Sequence, residues 1–141
     1  MAQTYASEAA GLATVPTTMA NGGVVGGRLR RFRATIALAS QAADDTIVLA
    51  KIPAGHAFAY GVINASATLG ASATVAIGTA SSAGKYRAAA TFTAAAPTLF
   101  GASTAVDDSA LTAEETVILT VGTAALPSSG TAIVDLYFSA P

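Results

Sequence analysis

The chain contains no cysteine and no tryptophan, and its single histidine is His56. Without cysteine there is no disulfide framework and no thiolate metal site, and cysteine usage says nothing about the redox compartment. Charge is scarce too. Charged residues make up 11% of the 141 residues and the formal net charge is −1. So weak a field argues against electrostatic capture of nucleic acid or of an anionic membrane. No run approaches ~18 unbroken large apolar residues, which argues against a membrane-spanning helix. Met1 to Ala13 has no basic leader and no Leu/Val-rich stretch, so it does not read as a secretory signal. A soluble protein is expected.

What is present is apolar but small. Hydrophobic residues reach 52% while aromatics are only 6%, because much of the apolar content is alanine. A core built this way is thin. Part of the apolar surplus is expected at a subunit interface, which favours an oligomer.

Two regions differ in character. Met1 to Gly27 is small and polar and closes in Asn21-Gly22-Gly23-Val24-Val25-Gly26-Gly27. Four glycines around two valines disfavour helix and strand alike. Residues 1–27 therefore read as an extended arm and hinge, with one short helical turn near Ser7 to Leu12. Residues 28–141 form the body.

In the body the hydrophobic period becomes two. Phe32, Ala34, Ile36 and Leu38 share one face of a strand, opposite Arg31, Arg33, Thr35 and Ala37. Thr46 to Ile52 is apolar on both faces, which suits a central strand. Pro53-Ala54-Gly55-His56 is a turn. Phe58, Tyr60 and Val62 alternate with small residues, and Ala73, Val75 and Ile77 lie on one side of Ser72 to Ile77. Lys85 to Phe92 sets Tyr86, Ala88, Ala90 and Phe92 against Lys85, Arg87, Ala89 and Thr91. Thr116 to Val121 and Thr131 to Phe138 complete the set; in the last, Val134, Leu136 and Phe138 face inward and Asp135 and Tyr137 outward. About eight short strands separated by Gly, Pro, Ser and Asp-Asp turns, with no convincing helix, predict an all-β antiparallel sandwich or jelly roll. The predicted core is Phe32, Ile36, Leu38, Val75, Ile77, Val117, Leu119, Val134, Leu136 and Phe138.

Chemistry-bearing residues are sparse. His56 follows Pro-Ala-Gly in a turn, with no serine in a nucleophile-elbow setting; a triad assembled in space stays open, against an exposed turn histidine. Asp44-Asp45 and Asp107-Asp108 lie outside any D-x-D-x-D-G loop. They read as turn formers, with Ca²⁺ binding as the alternative. Glu114-Glu115 reads as a solvated turn before a strand. The glycines of residues 22–27 lack the G-x-G-x-x-G spacing and the Gly-Lys-Ser/Thr ending of phosphate loops. No motif supports catalysis, so the chain is not expected to be an enzyme. No metal or cofactor is expected.

The most informative cluster is Arg28, Arg30, Arg31 and Arg33, four of the seven basic residues. As a nucleic-acid patch it is short and lacks stacking aromatics. Two readings remain: a solvated strand face, or bidentate pairing with carboxylates across a protein interface.

Gly26-Gly27-Arg28-Leu29-Arg30-Arg31-Phe32-Arg33-Ala34-Thr35-Ile36 opens a pattern continued by Ile52-Pro53-Ala54-Gly55, Gly61-Val62-Ile63, Leu69 to Gly78 and Lys85-Tyr86-Arg87-Ala88-Ala89. Together these resemble small head decoration, or cement, proteins of tailed bacteriophages, over about residues 22–138. The alanine content departs from that pattern. The resemblance implies a jelly-roll-like body on the outer capsid surface, commonly a homotrimer, that clamps capsomers of the major capsid protein by arms and edges. It implies location in the virion, after assembly in the host cytoplasm, and supplies no catalytic residue. The competing expectation is a carbohydrate- or receptor-binding β module on a phage tail or cell surface. Against it, Tyr60, Tyr86 and Tyr137 fall within predicted strands and the loops are poor in Asn, Asp and Trp.

Overall fold

A computed structural model describes residues 10, 14–18, 25–107 and 109–140. The described residues contain eight strands: β1 (Arg28–Ala37), β2 (Thr46–Ile52), β3 (Ala57–Ala65), β4 (Thr74–Gly78), β5 (Arg87–Thr91), β6 (Thr98–Phe100), β7 (Glu115–Gly122) and β8 (Thr131–Ala140). They form two four-stranded antiparallel sheets, in the orders β1-β8-β3-β6 and β2-β7-β4-β5. The chain crosses repeatedly between the layers, and this interleaved order is that of an eight-stranded jelly roll. The all-β expectation is met. Most of the arm, with the helical turn expected near Ser7 to Leu12, lies outside the described residues. Ala10 and residues 14–18 are exposed.

The core fills the space between the sheets, as period-two burial requires. Ile36, Val134, Leu136, Phe138 and Ile63 come from the first sheet, and Ile52, Val75, Ile77, Val117, Leu119 and Val121 from the second. Nine of the ten predicted core residues are buried; the tenth, Phe32, is half-buried and packs on the cluster. β8 is central in its sheet, and its pairing with β1 runs unbroken from Arg28↔Ala140 to Ala37↔Thr131. Gly55 adopts a positive φ of 86°, as the Pro53–His56 turn demands of a residue without Cβ.

Three expectations are corrected. β2 is an edge strand, and its register shifts between Val48 and Ala50. The bulge explains why the strand seemed apolar on both faces: the inward parity changes partway along, and Val48 is left 62% exposed. In β3 a second bulge lies between Phe58 and Tyr60. Phe58 therefore points into the core with Phe138, whereas Tyr60 and Val62 pair with Tyr137 and Asp135 on the outer face. Finally, β5 begins at Arg87, and Ala88 and Ala90 are exposed because the strand forms an edge with little covering it.

Candidate functional site

Two places bring polar side chains together, and they lie on different parts of the sandwich. The first is the outer face of the β1-β8-β3-β6 sheet. Arg33 stands opposite Asp135 in the β1–β8 register, and its guanidinium donates two bonds to the carboxylate, Nε to Oδ1 at 2.8 Å and Nη2 to Oδ2 at 2.7 Å. The fork matches both oxygens at once, which makes such a pair strong for its size. Asp135 is the single buried charged residue among those described, and this bond is what allows its burial. Hydrogen bonding to Arg33 first, then the charges of Arg33 and Arg31, hold the Asp135 carboxyl below the usual carboxylate range, while desolvation opposes them. Arg33 is correspondingly raised by the same bond.

The four-arginine cluster therefore divides. Arg33 is engaged within the chain. Arg28, Arg30 and Arg31 are exposed and make no ion pair among the described residues. Tyr137, opposite Arg31 in the register, stacks on Tyr60 at 4.7 Å and 18°, and Leu29 on β1 and Leu99 on the far edge strand β6 are 55% and 68% exposed.

A lowered Asp135 pKa fixes a pH dependence. A carboxyl with a depressed folded-state pKa stabilises the fold above its unfolded value, ~3.9, and that stability is lost as pH falls through the folded value. Asp135→Asn should therefore flatten the acid limb. Its thermal midpoint should fall less than wild type's between neutral pH and about pH 2. Parallel midpoint curves for the two proteins would refute the role of this pair.

The second place is a cavity of about 410 Å³ beside the β6–β7 connection, lined by Phe58, Lys85, Tyr86 and Glu115 among others. Glu115 is the first residue of β7, and its carboxylate accepts from Lys85 Nζ at 2.5 Å and from the Tyr86 hydroxyl. Tyr86 is 1% exposed, and burial first, then the bond to Glu115, pushes its phenol well above the ordinary tyrosine range. The solvated-turn reading of Glu115 is thus corrected: its first oxygen closes off a buried hydroxyl. Tyr86 precedes β5 and does not lie within it. Lys85, Tyr86 and Glu115 are thus bonded to one another at the cavity wall.

His56 stands apart from both. Its ring meets Phe32 edge-on at 6.0 Å, and Nδ1 lies 3.5 Å from the Ala54 carbonyl oxygen. No carboxylate or hydroxyl bonds to it among the described residues, so no triad forms around it there. Asp45 accepts from the Ala42 amide and Asp107 from the Ser109 amide, as turn residues do. No group of three or more His, Cys, Asp or Glu side chains among the described residues is arranged to hold a metal ion. No described helix is long and apolar enough to cross a membrane.

The geometry defines an all-β jelly-roll body whose two ion pairs among the described residues are internal to the chain. No family model matches the sequence, and no curated protein matches it. Solved structures do match the fold. A chain of the cyanophage Pam1 capsid asymmetric unit aligns with a TM-score of 0.66 at 18% identity, over 82% of this chain and 86% of that one. A chain of the capsid of Ralstonia phage GP4 aligns at 0.65 and 18%, with the same coverage. A third, from the acid-stable capsid of Helicobacter pylori bacteriophage KHP30, aligns at 0.57 and 12%, over 80% and 88%.

Proposed function

We propose that this chain is a structural protein of a tailed-phage virion, a decoration protein that docks on the outer head surface and stabilises contacts between capsomers. The observation that carries the proposal is that three solved structures sharing the fold, over at least four-fifths of each chain, are all phage capsid structures. The sequence resemblance to head decoration proteins points the same way. A body with few charges and two polar clusters closed on themselves suits static contact better than turnover.

In this reading the partner is the major capsid protein, the body assembles as a homotrimer, and residues 1–27 are the reaching element. Roughly 27 extended residues could span up to about 90 Å. Such an arm binds by wrapping its neighbour, and the area it buries offsets the cost of ordering it. The remaining arginines of β1 stand where arm meets body and face a protein neighbour.

Deleting residues 2–21 tests the proposal. The body should unfold within a degree or two of the full chain, because its buried core cluster among the described residues runs from Ile36 to Phe138 and takes nothing from residues 2–21. Binding to particles that lack the protein should weaken at least about tenfold if each buried arm residue contributes as interface residues ordinarily do. Particle sedimentation with a titration of the protein reads this directly. An arm-deleted protein that reaches full occupancy at unchanged affinity would leave the body as the binding element. Failure of the full-length protein to bind any capsid would remove the decoration reading.

A further inference from the structure

An open groove of about 600 Å³ runs along the start of β1, where Arg30, Arg31 and Phe32 face the Pro53–His56 turn. Its lining includes no acidic residue. Phe32, Pro53 and Ala54 make part of the lining apolar; Arg30 and Arg31 also border it, and neither has an ion-pair partner among the described residues. A groove of this kind fits an occupant that presents an apolar side chain next to a carboxylate.

The chain itself carries such a surface. Arg33 and Lys85 are neutralised internally by Asp135 and Glu115. Removing these pairs from the seven basic and eight acidic residues leaves five and six. Three of those five, Arg28, Arg30 and Arg31, lie on β1. Two of the six, Asp107 and Glu114, lie in the β6–β7 connection, and both are exposed. Next to Asp107 is Val106, 46% exposed in a protein with few exposed large apolar side chains. The other acidic turn, Asp44-Asp45, is flanked by Ala42, Ala43 and Thr46 and offers no such knob. Leu111, between the two acids, is tied by backbone bonds to Gly55 and His56, which border the groove. The donor and acceptor surfaces are therefore braced by one turn and held rigid relative to each other.

We propose that the Arg30–Arg31–Phe32 groove receives the Val106–Asp107 knob and Glu114 of a second copy of this chain. The contact joins two different patches, so it repeats head to tail and closes into a ring if the rotation allows. This deepens the homo-oligomer reading above by naming its surfaces, and it is tested in the absence of particles, so its outcome is separate from that of capsid binding.

Light scattering and sedimentation of the purified full chain across the micromolar range provide the test. Wild type should assemble, and high salt should weaken the assembly. Arg30→Glu with Arg31→Glu should weaken association at least about tenfold, and so should Asp107→Arg with Glu114→Arg, since like charges then meet. All four substituted groups are on the surface, so circular dichroism and thermal midpoint should stay those of wild type. Mixing the two charge-reversed proteins should restore mixed assemblies, because each then offers what the other lacks. A wild type that remains monomeric overturns the proposal, as do assemblies indifferent to both reversals or not restored by mixing. A monomer whose groove instead binds polyglutamate would reassign the site to a foreign acidic polypeptide, and one that binds a DNA oligonucleotide would reassign it to nucleic acid; either result overturns self-association.

Discussion

Phe138→Ala is expected to lower the unfolding free energy by about 3–5 kcal/mol in urea denaturation, the range of large-to-small aromatic changes in a core that cannot collapse. Three features place it at the upper end of what single changes do. Phe138 is 0% exposed. Its ring is the hub of an aromatic cluster, edge-on to Phe32 at 5.9 Å, to Phe58 at 5.4 Å and to Tyr86 at 5.9 Å. It is also carried by β8, which hydrogen-bonds β1 on one side and β3 on the other. A backbone pinned on both flanks cannot move in to fill the space the ring leaves. Edge-to-face ring contacts are lost in addition to buried area. Leu99→Ala is the matched control: Leu99 is 68% exposed on the three-residue edge strand β6, so its loss should stay within about 0.5 kcal/mol. Similar losses for the two variants would mean that Phe138 does not hold the sandwich together.

Where each strand is regular, alternation alone located the core. β1, β7 and β8 bury the residues that a strict period of two selects, because a pleated strand sends successive side chains to opposite faces. Where the strand is irregular, the same rule misplaced side chains. Nothing in Phe58-Ala59-Tyr60 announces an extra residue, yet the bulge there sends Phe58 inward and Tyr60 outward. The bulge in β2 blurred the pattern into one that imitates a central strand. Pairing across the chain was equally hidden. Arg33 and Asp135 are 102 positions apart, and only the β1–β8 register makes them partners. The arginine cluster could be recognised as a group, but not that one member is spent internally while Arg30 and Arg31 border a groove. Tyr86 and Glu115 illustrate the same limit: a tyrosine just before β5 and a glutamate at the start of β7 carry no local sign that they meet. The Pro53-Ala54-Gly55-His56 turn, by contrast, was legible, since proline and glycine fix its backbone directly.

Gly61→Ala is expected to destabilise the body by about 1–3 kcal/mol, as overpacking of a filled core does. Backbone conformation is not the reason, since Gly61 is not among the residues with positive φ. Space is. A Cβ at this position would lie 2.2, 2.5 and 2.7 Å from three atoms of the Phe100 ring, closer than carbon atoms can approach. Phe100 is directly opposite Gly61 in the β3–β6 register and is itself 8% exposed, so its ring cannot swing freely into solvent. The absent side chain of one residue is the seat of the other. Either the ring turns off its rotamer or β6, paired only with β3, is pushed off the edge of its sheet. A double-mutant cycle separates this from a general effect of adding a methyl group to β3. Against a Phe100→Ala background the same Gly61→Ala change should cost close to nothing, because the ring it would strike is gone, giving a coupling of about 1 kcal/mol or more between the two positions. Additive losses in the double mutant would show that Gly61 is needed for some reason other than room for Phe100.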